Sequence, residues 1–293
     1  MINQKDNSQT SIIERVTDYE PPRNFRSWLI GRPLSTADAS HQTIGKIVGL
    51  AVFASDALSS TAYATQEILG VIAAAGTMAY GYLFPISLAI ITLLAIVTIS
   101  YEQTIHAYPG GGGAYIVARD NLGEMPAQTA GAALLTDYIL TVSVSISAGV
   151  AQIVSAYPAL FPYRVVIAVI AVFFIMLINL RGVKESGTAF AVPTYFFVIM
   201  MVGTVGFGVF RYFTGSLGMV IDPPHFEAKH VLSAITPFIL LHAFANGTTA
   251  LTGVEAISNG ITAFKEPRSK NAGITLIWMS LILGTLFLAL SFL

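Results

Sequence analysis

A chain of 293 residues that is 54% hydrophobic and 11% charged, with a mean hydropathy of +0.70, has too little polar surface for a water-soluble domain and reads as an integral membrane protein. The formal net charge of −1, with basic residues scattered between apolar runs, offers no patch that could track phosphates, so nucleic acid is not an expected partner. The absence of Cys removes disulfides, thiolate metal sites and cysteine nucleophiles together, and leaves the redox compartment open.

In chain order, residues 1–43 are polar, mixed in charge and without the short apolar core of a signal peptide, and are expected to form a cytoplasmic tail. Within them "RSWLIGRPL", Arg26 to Leu34, reads either as a segment lying on the membrane surface or as a basic linker. Residues 44–293 then hold seven apolar runs, about 46–75, 82–105, 127–155, 163–181, 188–213, 231–263 and 271–293. Each approaches or exceeds the roughly 20 residues a transmembrane helix takes. Twelve of the fifteen Lys and Arg residues fall in the tail and in the second, fourth and sixth connections, which places the N-terminus in the cytoplasm of a multi-pass protein of the cell membrane. "AYPGGGGAYIVAR", Ala107 to Arg119, follows an apolar helix rather than a strand and lacks the Lys-Ser/Thr of a phosphate loop, so it reads as a flexible cytoplasmic turn. The last run stays apolar up to Leu293 and is expected to be cut at a membrane boundary, with no soluble domain.

Four acids sit well inside these runs: Asp56 and Glu67 in the first, Asp137 in the third and Glu255 in the sixth. No Lys or Arg lies at comparable depth in the same runs. A carboxylate at mid-membrane costs about 2.5 to 3.5 kcal/mol, so three unpaired ones would cost roughly 8 to 10 kcal/mol unless a proton, a water-filled cavity or a bound cation compensates them. In "TDYILTVSVSISAG", Asp137, Thr141 and Ser145 follow the i, i+4, i+8 stripe of a helix, an all-oxygen set that suits a hard cation. For Thr141 and Ser145 the competing reading is a hydroxyl bonded back to its own helix. In "AFANGTTALTGVEAISNGI", Asn246, Gly247 and Gly253 invite unwinding at mid-membrane, as in the broken helices from which transporters build their sites; a continuous, closely packed helix is the alternative. "ASDALSSTAYA", with Asp56 and Tyr63, has neither Gly nor Pro, and its residues leave a broken and an unbroken helix equally open. Glu67, four residues beyond Tyr63 on the same face, either lines an outer vestibule or packs against a polar group of a neighbouring helix.

"RSWLIGRPL", "SDALSSTAY", "AYPGGGGAYIVARDNLGE", "DYILTVSVSISAG", "INLRGVKES" and "ALTGVEAISNGITAFKEP", in this order, resemble the KimA-type potassium importers of the amino acid-polyamine-organocation superfamily. The resemblance implies an all-α LeuT-like fold of two inverted five-helix repeats, with the first and sixth helices broken, and uptake of potassium with a proton. It implies Asp56, Tyr63, Asp137 and Tyr138 as principal potassium ligands, Thr141, Ser145 and Thr252 as further hydroxyls on the ion path, and Glu255 as the proton carrier. No cofactor is implied; potassium is the substrate and the proton the coupling ion. The family has about twelve membrane helices and a cytoplasmic domain that binds cyclic di-AMP and supports a homodimer. This sequence matches one repeat and two helices of the next, so a tyrosine ligand of the tenth helix and the regulatory domain have no counterpart in it.

Two other readings stand beside this one. An amino acid or polyamine permease of the same superfamily would share the fold, although the acid in "SDALSS" repels a substrate carboxylate. A membrane-embedded fragment or partner subunit that needs a complementing half would explain the apolar end. No Ser/His/Asp arrangement, metal motif or nucleotide loop points to an enzyme.

Overall fold

The computed structural model describes Asn24, Phe25, Gly31, residues 42–218 and residues 235–293. Most of the expected cytoplasmic tail, including the Arg26 to Leu34 segment apart from Gly31, and the first residues of the sixth apolar run lie outside the described residues. The helices are α1 (Lys46–Ile72), α2 (Leu83–Ala107), α3 (Gly113–Leu122), α4 (Glu124–Ala156), α5 (Arg164–Asn179), α6 (Val183–Phe213), α7 (Pro237–Gly247), α8 (Ala256–Asn259) and α9 (Arg268–Phe292). Tight helical turns at Thr77–Tyr82 and Pro158–Tyr163 lead into α2 and α5. Among the described residues six helical segments are long and apolar enough to cross a membrane, those that contain α1, α2, α4, α5, α6 and α9. Among the described residues there is no strand, only an isolated bridge between Ile44 and Phe264. The protein is an all-α, multi-pass membrane protein.

Burial separates the helices into an axis and a lipid-facing shell. Half of the most apolar window of α1 is buried within the chain, whereas none of that of α5 is. Apolar side chains that face outward from α4, α5 and α6 match a hydrocarbon solvent, which costs them nothing. α1 is wrapped by α6, α7 and α9, and small residues set the distances. Gly187 of α6 lets Val48 and Val52 close on it, and Gly247 of α7 does the same for Ile68 and Ile90. Hydroxyls tie the bundle laterally: Thr98 donates to Ser280 at 2.8 Å, and the Tyr195 hydroxyl donates to the Ile47 carbonyl at 2.8 Å. Gly187→Leu should therefore fail as an overpacked contact, because even a Cβ there would stand 2.6 Å from Val52 Cγ2. A loss of about 1 to 3 kcal/mol is expected, read as a lower melting temperature in detergent.

The sixth apolar run is interrupted at mid-length. Thr236 caps α7 by accepting from the Ile239 amide at 3.3 Å, and Pro237 occupies the first turn, where its missing N–H is not needed. The helix ends at Gly247, one tight turn covers Thr248–Leu251, Thr252 is extended, and Gly253 takes φ +84° before α8 begins. The positive φ is open to Gly because it has no Cβ. The chain after α8 is stitched to the start of α1, with the Ile44 amide donating to Ala263 at 2.8 Å and the Lys265 amide donating to Ile44 at 2.9 Å.

The first helix differs from the expectation drawn from the resemblance: α1 is continuous from Lys46 to Ile72, straight through Asp56 and Tyr63. The reason is local. The stretch has neither Gly nor Pro to interrupt the ladder, and its hydroxyls find acceptors without leaving the helix, Ser59 and Ser60 donating to the Asp56 carbonyl at 2.8 and 3.0 Å and Thr61 to the Leu58 carbonyl at 2.7 Å. The broken geometry belongs to the sixth run alone among the described residues.

Candidate cation-binding site

The interruption of the sixth run brings its backbone against the middle of α1. A Cβ at Gly253 would stand 3.0 Å from Asp56 Oδ2, so this glycine lets the unwound segment reach the carboxylate. The other oxygen, Oδ1, accepts a hydrogen bond from Ser145 of α4 at 3.0 Å. Ser145 thus points at Asp56 and not back along its own helix, unlike Ser143, which donates to the Ile139 carbonyl at 2.8 Å. Thr252 precedes Gly253 in extended conformation at the same break.

Asp56, Asp137 and Glu255 lie within electrostatic reach of one another, although they come from α1, α4 and the residue that opens α8. Among the described residues none of the three forms an ion pair with Lys, Arg or His. Asp137 is exposed on the open side of α4, one and two turns before half-buried Thr141 and Ser145 on the same stripe. Glu255 Oε1 is buried without a hydrogen-bond partner among the described residues. An unpaired buried carboxylate oxygen is costly, and a cluster of three gains most from a cation or a proton.

Two further residues border this cluster that the sequence did not single out. Tyr101 of α2 is half-buried within reach of Asp137, Tyr138 and Glu255. Its signal was a phenol next to Glu102 near the end of a largely apolar helix. Asn259 donates from Nδ2 to the Tyr138 hydroxyl, and it stands one turn after Glu255, the i+4 spacing that places both on one face. Asn259 is held in turn by the glycine run. The Gly112 amide donates to the Asn259 carbonyl at 3.4 Å, a Cβ at Gly111 would meet that carbonyl at 2.9 Å, and a Cβ at Gly113 would overlap the Asn259 side chain. The run expected as a flexible turn is a fitted joint between α8 and the start of α3.

Tyr63 lies about two turns beyond Asp56 on α1. Its ring is buried, its hydroxyl shares a hydrogen bond of 2.9 Å with Ser60, and it lines a cavity of 430 Å³ together with Glu67, towards the far end of α1. Asp56, Ser145, Asp137 and Tyr138 share one region with Glu255, Thr141 stands on the same helix as Asp137, Thr252 stands at the break beside Gly253, and Tyr63 follows Asp56 by about two turns of α1.

Known proteins can be set beside this geometry. Residues 34–293 match the family model described as amino acid permease. The chain is 47% identical over 266 residues to the potassium transporter KimA of Bacillus subtilis (strain 168), covering 90% of this chain and 43% of that protein. It is 28% identical over 232 residues to the probable potassium transport system protein Kup of Flavobacterium johnsoniae, covering 75% of this chain and 34% of that one. The chain spans less than half the length of these curated relatives. A break in the sixth apolar run against an unbroken acidic helix, within an all-α bundle that matches the family model over residues 34–293, leads to one conclusion: the chain belongs to the amino acid permease family.

Proposed function

We propose that this chain forms the ion-binding part of a potassium importer of the cell membrane, with its N-terminus in the cytoplasm and a proton as the coupling ion. The carrying observation is three carboxylates gathered from three elements, fringed by hydroxyls and without a basic partner among the described residues. Asp56 and Asp137 supply the charge that draws a dehydrated cation. Ser145, Thr141, Thr252 and Tyr138 supply oxygens in place of its water. Three negative charges and one potassium leave two; a proton on Glu255 leaves one, so that joint entry of both ions is favoured over either alone. The unwound segment after α7 adds carbonyl dipoles of the sign that suits a cation. The names of both relatives, each a potassium transport protein, support the same substrate. An amino acid substrate is disfavoured because continuous α1 spends its amides within the helix and sets Asp56 where a substrate carboxylate would have to bind.

The test is growth of an uptake-deficient bacterium at low potassium. It carries either this chain alone or a chimera in which the chain replaces the matching segment of the Bacillus transporter. The chimera should restore growth, and Asp137→Asn should abolish it. Undiminished growth of that variant would sink the assignment, and rescue by the chain alone would exclude the need for a complementing half.

A further inference from the structure

Glu67 is an acid within a membrane-length helix that the site above does not use. Counting 100° per residue, Asp56, Tyr63 and Glu67 fall within about 20° of one line on α1, with Glu67 roughly 16 Å beyond Asp56 along the axis. On α4, Gln152 stands seven residues after Ser145, again within about 20° of the same line. Ser145 meets Asp56, and both lines continue past the central region, each on its own helix. Beside them, on the flank of α4 that carries Ser143 and Ser147, opens a cavity of 430 Å³ that Tyr63, Gln66, Glu67 and Gln152 also line. At about 30 Å³ per water it holds on the order of ten waters, enough for a cation with its hydration shell. Glu67 makes no hydrogen bond or ion pair with any described residue, and Tyr63, locked to Ser60 at 2.9 Å, stands between it and Asp56.

We propose that this cavity is a second cation site, a vestibule in which Glu67 holds a hydrated monovalent cation before it passes Tyr63 and sheds water at Asp56. The direction of traffic rests on the importer reading above. A lone carboxylate with neutral oxygens and amides attracts small cations without choosing finely among them, so its effect is on local concentration and rate of entry. Selection belongs to the crowded acids beyond Tyr63, where the cation loses its shell.

The chain has no Cys, so a single cysteine can be read without background. Gln152→Cys would be exposed in intact cells to two impermeant methanethiosulfonates, one bearing a trimethylammonium and one a sulfonate. The cationic reagent should react about tenfold faster, the lower end of electrostatic focusing in a cleft, and Glu67→Gln should erase that preference. Equal rates with Glu67 in place, a preference that survives Glu67→Gln, or no labelling by either reagent would each overturn the vestibule. In the chimera, Glu67→Gln should raise the KM for potassium about fivefold with kcat kept, and Glu67→Asp should stay near the parent. The difference should shrink as choline chloride approaches 1 M, where screening acts within about 3 Å. An equal loss of kcat in both variants would mark Glu67 as a packing residue and overturn the proposal. A charge-selective vestibule in a chimera that takes up no potassium would sink the importer reading and leave the vestibule standing.

Discussion

Asp56→Asn is expected to lower potassium uptake by the chimera about a hundredfold, while leaving the ion-free protein at least as stable to heat as the parent. Removing one member of a buried charge pair costs about 3 kcal/mol or more, which is roughly two decades in rate or affinity. The opposite sign is expected for stability without potassium. The carboxylate has Ser145 as its hydrogen-bond partner at 3.0 Å and no basic side chain, so an amide in its place relieves repulsion from Asp137 and Glu255 and still accepts from Ser145. Rubidium uptake in cells and melting curves in detergent, with and without potassium, read the two effects separately. The parent should gain several degrees from potassium and the variant should gain none. A variant that transports normally, or one that melts far below the parent in the absence of potassium, would show that Asp56 serves the fold and not the ion.

Gly253→Val is expected to remove uptake and to lower stability as well. The position has φ +84°, which a β-branched residue adopts only under strain of about 1 to 3 kcal/mol. Its Cβ would also stand 3.0 Å from Asp56 Oδ2 and 3.4 Å from the Ala57 amide. The unwound segment must then back away from α1, and the oxygens of the break leave the acids they face. Gly247→Ala provides the contrast: that residue is in ordinary helical conformation at φ −66°, but its Cβ would meet Ile90 and Ile68 at 2.5 and 2.6 Å. It should lose stability through crowding and recover when Ile68 or Ile90 is shortened to Val, whereas Gly253→Val should not be rescued by any trimmed neighbour. Uptake and melting temperature for the two variants and their rescues check this. Recovery of Gly253→Val by a smaller side chain nearby would refute the backbone argument.

Hydropathy and charge placement are local properties, so a membrane-spanning all-α chain, the cost of placing Asp56, Asp137 and Glu255 within apolar runs, and the weak point at Asn246 to Gly253 could all be read along the sequence. The order of motifs carried the family in the same way. An interruption of the sixth run follows from a glycine that can take a positive φ beside a mid-membrane acid, and that requirement is written in neighbouring residues. The continuity of α1 was only half legible. Absence of Gly and Pro permits a helix, and burial of one face of α1 against α6, α7 and α9 holds it; the hydroxyls are then satisfied on the Asp56 and Leu58 carbonyls.

What tertiary structure alone decided is who meets whom. Ser145 has the same chemistry as Ser143, yet one reaches Asp56 and the other its own helix, because the facing of α4 towards α1 selects between them. Tyr101 and Asn259 border the acids from α2 and α8, more than 150 residues apart in sequence, and no local pattern encodes that approach. Tyr63, about two turns beyond Asp56 on α1, also lines the cavity that Glu67 borders, a placement set by the packing of α1 against α4. Composition dictates that a buried charge must be compensated; the packing of distant helices determines which atoms are close enough to compensate it, since electrostatic and hydrogen-bonding energies fall off over a few ångströms and not over residues.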